Sequence, residues 1–387
     1  METQQATTKV TSAGGYKDRP WFLRFWNGMP WSVWIRLAVR NRCQVGPRRI
    51  GMAFLMVLSS TVNSVFGLLQ GLFLGRRIAR VSIDRHPIFI IGHWRTGTTL
   101  LHELLVLDPR HTFPDNYACF APAHFLFSRR VLAPLIRRLF PNRRPVDNMV
   151  MSWERPQEDE FAMCNLGARS PYLTMAFPNR PPQDQEYLTL DNVPPAALAA
   201  WKRTFLWFLK CVTARQAKRI VLKSPPHTCR IRVLLELFPD ARFVHIVRDP
   251  FVVFPSTVTL WKRLYKDEGF QTPRYEGLDE HVFDTLLRMY EAYERDRALV
   301  PPRRLCEVRY EDLVADPVGQ LRRVYDELEL GEFDAVLPAL KEYLEDRSDY
   351  KRNRYEIAPE LRDEISRRWS SYIARYGYGP AAGQDAA

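Results

Sequence analysis

Two short stretches of this 387-residue chain carry residue types at spacings suited to capturing a phosphorylated anion. In PIFIIGHWRTGTTLLHELL, Gly92 closes an apolar run, Gly97 follows five positions later, and Thr98 and Thr99 open a helix-periodic segment. The amides of such a loop and helix start cradle phosphate oxygens. A nucleoside-triphosphate hydrolase would carry lysine where Thr98 stands, to stabilise the β and γ phosphates. Arg95 offers a cation from inside the loop instead, so a triphosphate is not the expected ligand. The bland alternative is a glycine turn with a threonine cap. In RFVHIVRDPFVVFPSTV, an apolar strand delivers Arg248 at its end and Ser256 eight residues later on a predicted helix. A guanidinium fork plus a hydroxyl suits a ribose phosphate. Taken alone, the stretch reads as Arg248 paired with Asp249 plus a capping serine.

The elements that must position these residues follow from hydrophobic texture. Apolar runs at residues 87–91, 219–222, 242–247 and 305–309 predict strands, and 98–107, 231–237 and 318–328 predict helices. That alternation predicts an α/β fold, a three-layer α/β/α sandwich on a central parallel sheet with P-loop NTPase-like topology. Ligand is then expected at the carboxyl ends of the strands. Residues 113–207, rich in Pro, Arg and aromatics, are too long for a simple crossover and are expected to build the acceptor side of the pocket.

Arg95, Gly97, Thr98 and Thr99, followed by Arg248 and Ser256 at this spacing, resemble the 5'-phosphosulfate loop and 3'-phosphate site of the sulfotransferase family, over roughly residues 87–376. The arginine at position 95 is similar to the bacterial, tyrosylprotein and carbohydrate branch. The resemblance implies 3'-phosphoadenosine 5'-phosphosulfate (PAPS) as co-substrate, no metal, and a hydroxyl or amine acceptor. It assigns Arg95, Thr96, Gly97, Thr98 and Thr99 to the 5' end of the donor and Arg248 and Ser256 to its 3'-phosphate. Lys223, closing a strand in RIVLKSPPHTCRI, resembles the branch's lysine that contacts the phosphosulfate, and His227 nearby takes no role. Lys351, Arg352 and Asn353 in DRSDYKRNRYEI resemble the basic loop over the 3'-phosphate, although the glycine-rich version of the cytosolic enzymes is missing.

Sulfuryl transfer also needs a base for the acceptor proton. Relatives use histidine or glutamate. The cluster WERPQEDEFAM holds Glu154, Glu158, Asp159 and Glu160, and neighbouring carboxylates can raise one another's pKa. Pro156 breaks a helical register from Glu154 to Glu158, which favours Glu158 or Glu160. Asp115, where the tyrosylprotein branch has its glutamate pair, and His124 in FAPAHFL compete for the role. His93 and His102 are expected to take packing or surface roles rather than react.

Composition bounds the rest. The net charge of +12 and the 46% apolar content describe a globular protein with anionic company. No recognised nucleic-acid motif accompanies the charge, and six scattered cysteines without a C-x-x-C pair signal neither zinc nor disulfides. A kinase and a non-enzymatic basic module for anionic ligands or membranes are the rival readings. Residues 1–15 read as a disordered lead without a secretory signal, 16–84 as a helical, membrane-associated or core segment, and 85–380 as the sulfotransferase domain. Four tryptophans among arginines at residues 21–42 suit a membrane interface. Residues 51–75 carry no charge and are long enough to cross a bilayer, yet Ser59, Ser60, Thr61, Asn63, Ser64 and Gln70 would be costly against lipid. Membrane contact and core helix are evenly matched. The expected location is cytoplasmic, free or held at the inner membrane face, with a small-molecule, lipid, sterol or carbohydrate acceptor.

Overall fold

The computed structural model describes residues 24–83, 86–139, 153–346 and 357–379. Its centre is a parallel sheet ordered β2-β3-β1-β4-β5, built from β1 (Ile88–Ile91), β2 (His111–Thr112), β3 (Arg219–Lys223), β4 (Arg242–Val247) and β5 (Leu305–Arg309). The four strands expected from apolar runs are present. The fifth, β2, is two residues long and has no apolar run to announce it.

Helices α1 (Trp31–Arg40), α2 (Ile50–Ala79), α3 (Thr98–Leu105), α4 (Asn116–Phe120) and α5 (Phe125–Leu139) come first. They are followed by α6 (Asp159–Asn165), α7 (Pro195–Arg215), α8 (Ile231–Leu237), α9 (Pro250–Glu268) and α10 (Leu278–Asp296). The chain ends through α11 (Tyr310–Ala315), α12 (Pro317–Leu328), α13 (Leu337–Glu345), α14 (Pro359–Arg368) and α15 (Ser370–Tyr376).

The sheet is covered on both faces, which is why β1 reads as uninterrupted Ile-Phe-Ile-Ile. Because side chains alternate along a strand, Ile88 and Ile90 join a core with Leu101, Leu104, Val308, Leu321 and Leu340 from the α3, α11–α13 side. Phe89 and Ile91 face the larger core of Phe205, Phe208, Phe254 and Trp369. Trp26, Trp34, Met52, Met56 and Ile78 belong to that second core. The N-terminal helices are therefore packed into the body of the fold, and the expected lead at residues 1–15 lies outside the described residues.

Strand order sets up the site. β1 lies between β3 and β4, with Ile90 beside both Lys223 and Val244. The ends of these strands open on one edge, at the point where connections diverge to either side. Helix starts there are fixed locally: Asp249 caps α9 by accepting from Phe251 N at 2.8 Å, and Pro250 occupies the first helical position.

Candidate active site

The loop leaving β1 is shaped by backbone that few residues tolerate. Arg95 sits at φ +69°, a left-handed conformation costing an L-residue about 1 kcal/mol. Gly97 precedes α3 at φ +102°, and a Cβ there would lie 2.3 Å from the Tyr310 ring. Thr96 Oγ1 donates to His93 O at 2.7 Å and closes the turn. Thr98 is buried beneath the loop while Thr99 is exposed on the first turn, beside the amides that a helix leaves without intrahelical partners.

Arg95 and Ser256, 161 residues apart, meet directly: Arg95 Nε donates to Ser256 Oγ at 2.7 Å. Arg248 Nη1 donates to the Arg95 carbonyl at 3.1 Å, and its guanidinium lies 4.0 Å above the Tyr310 ring. Tyr372 holds the Arg248 backbone by accepting from its N–H at 3.2 Å and donating to its carbonyl at 3.1 Å. Gly97, Arg95, Arg248, Ser256 and Tyr310 thus form one group at the ends of β1, β4 and β5. Its two arginines concentrate positive charge next to a helix N-terminus, which favours a bound phosphate or sulfate.

A second group adjoins it at the end of β3. Lys223 Nζ is 2.6 Å from Glu158 Oε1, and Glu158 Oε2 accepts from the Tyr172 hydroxyl. The Trp94 indole N–H donates to the same Tyr172 oxygen at 3.0 Å. The chain Trp94, Tyr172, Glu158, Lys223 therefore ties the loop to a carboxylate beside a lysine. The Lys223 side chain is only 4% exposed and that of Glu158 15%, so the carboxylate is the more accessible partner. Burial, reinforced by the Glu158 charge, pushes the Tyr172 phenol well above its usual range and keeps it a donor. Aromatic rings wall this side: Phe161 lies 5.1 Å from Tyr172, Phe25 stacks on Phe161 at 3.9 Å, and Trp261 lies 5.5 Å from Trp94.

The other candidate bases are committed elsewhere. Glu160 forms a bidentate pair with Arg230 at 2.6 and 3.0 Å, both side chains fully buried. Asp115 caps α4 and is held by Arg129 and Arg215. His124 lies between Asn63 at 2.9 Å and Ser128 at 2.7 Å, and burial pushes its ring down to about 4. Three of the clustered carboxylates each meet a separate partner: Lys223 for Glu158, His227 for Asp159 and Arg230 for Glu160. At Asp159, burial works upward but the charge and hydrogen bond of His227, 2.8 Å away, outweigh it and leave the carboxyl below its usual value. His227 is accounted for by that pair. Burial also lowers His93 to about 4 and His102 to about 3. Lys351, Arg352 and Asn353 lie outside the described residues. A surface recess of about 300 Å³ lined by Arg40, Arg169, Arg180 and Asp184 shares no residue with either group.

Trp94 and Tyr172 escaped sequence reasoning. Trp94 sits inside the recognised loop, but nothing local indicates where its ring points. Tyr172 lies in the 3-10 helix Pro171–Ala176, where no motif sets it apart.

Comparison with known proteins bears on this arrangement. The model of the sulfotransferase family matches residues 87–335. The chain is 51% identical over 360 residues to the omega-hydroxy-beta-dihydromenaquinone-9 sulfotransferase Stf3 of Mycobacterium tuberculosis, covering 93% of this chain and 92% of that one. Among solved structures, sulfotransferase STF9 from Mycobacterium avium is similar in fold, with a TM-score of 0.62 at 19% identity over 90% of this chain and 96% of that one. STF1 from Mycobacterium tuberculosis gives 0.58 at 18%, over 88% and 90%.

Proposed function

The chain belongs to the sulfotransferase family and is a sulfotransferase, and from that premise we propose that it carries the sulfuryl group of PAPS to the hydroxyl of a hydrophobic lipid alcohol. The observation that carries the donor assignment is the convergence of Arg95, Arg248 and Ser256 beside the α3 N-terminus. Arg248 and Ser256 would hold the 3'-phosphate. Arg95, Thr96, Gly97, Thr98 and Thr99 would hold the phosphosulfate end, where the exposed Thr99 and the first-turn amides offer donors.

In this reading Glu158 is the general base. The acceptor oxygen attacks sulfur in line with the leaving phosphate oxygen; the new O–S bond forms as the old one breaks, and the bonding pair leaves on the phosphate. Glu158 takes the acceptor proton while Lys223 and Arg95 offset the charge left on the phosphate. The two roles are coupled: protonating Glu158 removes the negative charge 2.6 Å from Lys223 and frees the ammonium for the phosphate. The Tyr172 hydroxyl, itself fixed by Trp94, aims the carboxylate.

The acceptor assignment draws on the mycobacterial relative, whose name gives an omega-hydroxylated dihydromenaquinone as its acceptor. The aromatic wall of Phe25, Phe161, Tyr172 and Trp261 supports an apolar substrate. The test is calorimetric titration of 3'-phosphoadenosine 5'-phosphate into wild type and an Arg248→Ala, Ser256→Ala variant, with ATP as control, followed by turnover with a hydroxylated isoprenoid quinol and with a soluble sugar. Binding that the variant loses, and turnover confined to the lipid, support the proposal. Preference for ATP, or for the sugar, overturns the corresponding half.

A further inference from the structure

The middle of helix α2 is built inside out for a soluble protein, while Met52, Met56 and Ile78 towards its ends pack into the core. Over 30 residues its buried positions include Ser60, Asn63 and Gln70, while Phe54, Leu58, Val62, Val65, Leu68 and Leu72 face outward. Spacings of 4, 4, 3, 3 and 4 put those six on one stripe of the helix. Leu68 and Leu72 are 75% and 76% exposed. Trp31, Ile35 and Val39 continue the apolar surface on the neighbouring α1. In the most apolar 18-residue window of the helix, 22% is buried, which is not how a core helix sits.

The polar residues that dilute the run fasten the helix to the body. Asn63 Nδ2 donates to the carbonyls of Asn27 at 2.6 Å and Met29 at 3.2 Å, and Asn63 Oδ1 accepts from His124 Nε2. Gln70 Oε1 accepts from the first-turn amides of α5, Leu126 N and Phe127 N, at 3.0 and 3.2 Å. Trp31 donates through its backbone to Ser64 and through its indole to Thr61. Contacts with the body run from Met52 to Ile78, about 39 Å of helix axis at 1.5 Å per residue. No stretch of α2 is left free on all sides to stand across a hydrocarbon core about 30 Å thick.

Charge identifies the occupant of the outward stripe. Between residues 24 and 83 there are nine arginines and no aspartate or glutamate. Arg42 and Arg48 before the helix, Arg76, Arg77 and Arg80 at its end, and Arg36 on α1 are exposed. An apolar stripe bracketed by arginines, with Trp31 at its rim, matches an anionic bilayer surface. We infer that α1 and α2 form a monotopic membrane-docking face, with α2 lying in the plane of an anionic lipid interface rather than crossing it. The face leads to the catalytic group: α2 fixes the 3-10 helix Phe25–Gly28 through Asn27, and Phe25 stacks on Phe161 beside Tyr172. This inference stands whether or not the acceptor is a lipid.

The test uses the full chain in flotation with vesicles of phosphatidylcholine alone and of phosphatidylcholine with 30% phosphatidylglycerol. Binding is expected to the anionic vesicles. A Phe54→Ser, Leu68→Ser, Leu72→Ser variant is expected to lose at least about tenfold in partitioning, and neutralising Arg76, Arg77 and Arg80 up to about fivefold per arginine. Affinity for 3'-phosphoadenosine 5'-phosphate should be unchanged in both, which separates docking from misfolding. In a Cys43→Ser background, since Cys43 is exposed, environment-sensitive labels at Phe54→Cys, Val62→Cys and Leu72→Cys should report one shallow depth. No vesicle binding, or binding indifferent to the serine variant, would overturn the inference. So would a deeper central label, which means a spanning helix, or self-association abolished by the serine variant without vesicle binding, which means that a second copy covers the face.

Discussion

Glu158 and Glu160 are two residues apart, and the roles argued for them predict opposite consequences for the same substitution. Glutamine at 158 keeps the shape and still accepts from Tyr172, but it cannot take a proton. Loss of a general base lowers kcat by about 10²- to 10⁴-fold, or about 3–5 kcal/mol. Binding of the product nucleotide should hold or tighten, because Lys223 loses its carboxylate partner and turns to the phosphate. The folding cost is modest, about 1–3 kcal/mol for one weakened charge-assisted bond. Glutamine at 160 instead strips fully buried Arg230 of its paired carboxylate, and should cost about 3–5 kcal/mol of stability. Its activity per folded molecule should be near normal. Denaturant midpoints, calorimetry with the product nucleotide and steady-state PAPS turnover on both variants separate these outcomes. Turnover by Glu158→Gln within threefold of wild type would refute the base assignment. Equal melting of Glu160→Gln and wild type, with lost turnover, would exchange the two roles.

Further outcomes follow from two glycines at positive φ and from the buried imidazoles. Gly97→Ala should weaken product-nucleotide binding by about 1–3 kcal/mol, roughly five- to 150-fold, because its Cβ meets the Tyr310 ring that supports Arg248 at a φ of +102°. Gly277→Ala, strained at φ +70° but with open space, should cost about 1 kcal/mol of stability and leave binding intact, as calorimetry beside a denaturation curve will tell. Burial lowers His93 and His124 to about 4 and His102 to about 3, the last helped by Lys223, from an ordinary 6.5. The unfolded chain then takes up these protons first, so their contribution is intact above pH 6.5 and is lost as pH falls from 6.5 towards 4. Each should subtract roughly 1.4 kcal/mol between pH 7.5 and 5.5, about 4 kcal/mol together. A denaturant midpoint unchanged over that range would contradict this, and His124→Asn should remove roughly 1.4 kcal/mol of the loss between those two pH values.

What the sequence disclosed depended on how local each feature is. The loop proposed to hold the phosphosulfate is contiguous from Gly92 to Thr99, and its requirements for Gly97 and a helix start can be read without knowing the fold. The proposed 3'-phosphate pair was legible because Arg248 directly follows β4 and Ser256 lies early in α9. The proposed base was not, because four acidic residues between positions 154 and 160 look alike until partners arrive from elsewhere: Lys223 for Glu158, His227 for Asp159, Arg230 for Glu160. Those partners lie 65 to 70 residues further along, on the end of β3 and the turn after it. Only folding sorts the carboxylates.

Helix α2 shows the same limit in another form. Its composition fits a core helix and a bilayer helix equally well, since both are apolar and uncharged. The discriminating fact is direction, and the few polar side chains supply it. Asn63 and Gln70 satisfy backbone groups of the 3-10 helix Phe25–Gly28, of Met29 and of α5, which would otherwise be left without partners in an apolar surround. Their orientation forces the leucines, valines and phenylalanine outward. A soluble protein would gain solubility from polar residues at those outward positions at no cost to the core. An apolar stripe between clusters of arginine therefore argues for an environment in which apolar exposure is no penalty, and Phe25 on Phe161 links that stripe to the proposed acceptor side of the site.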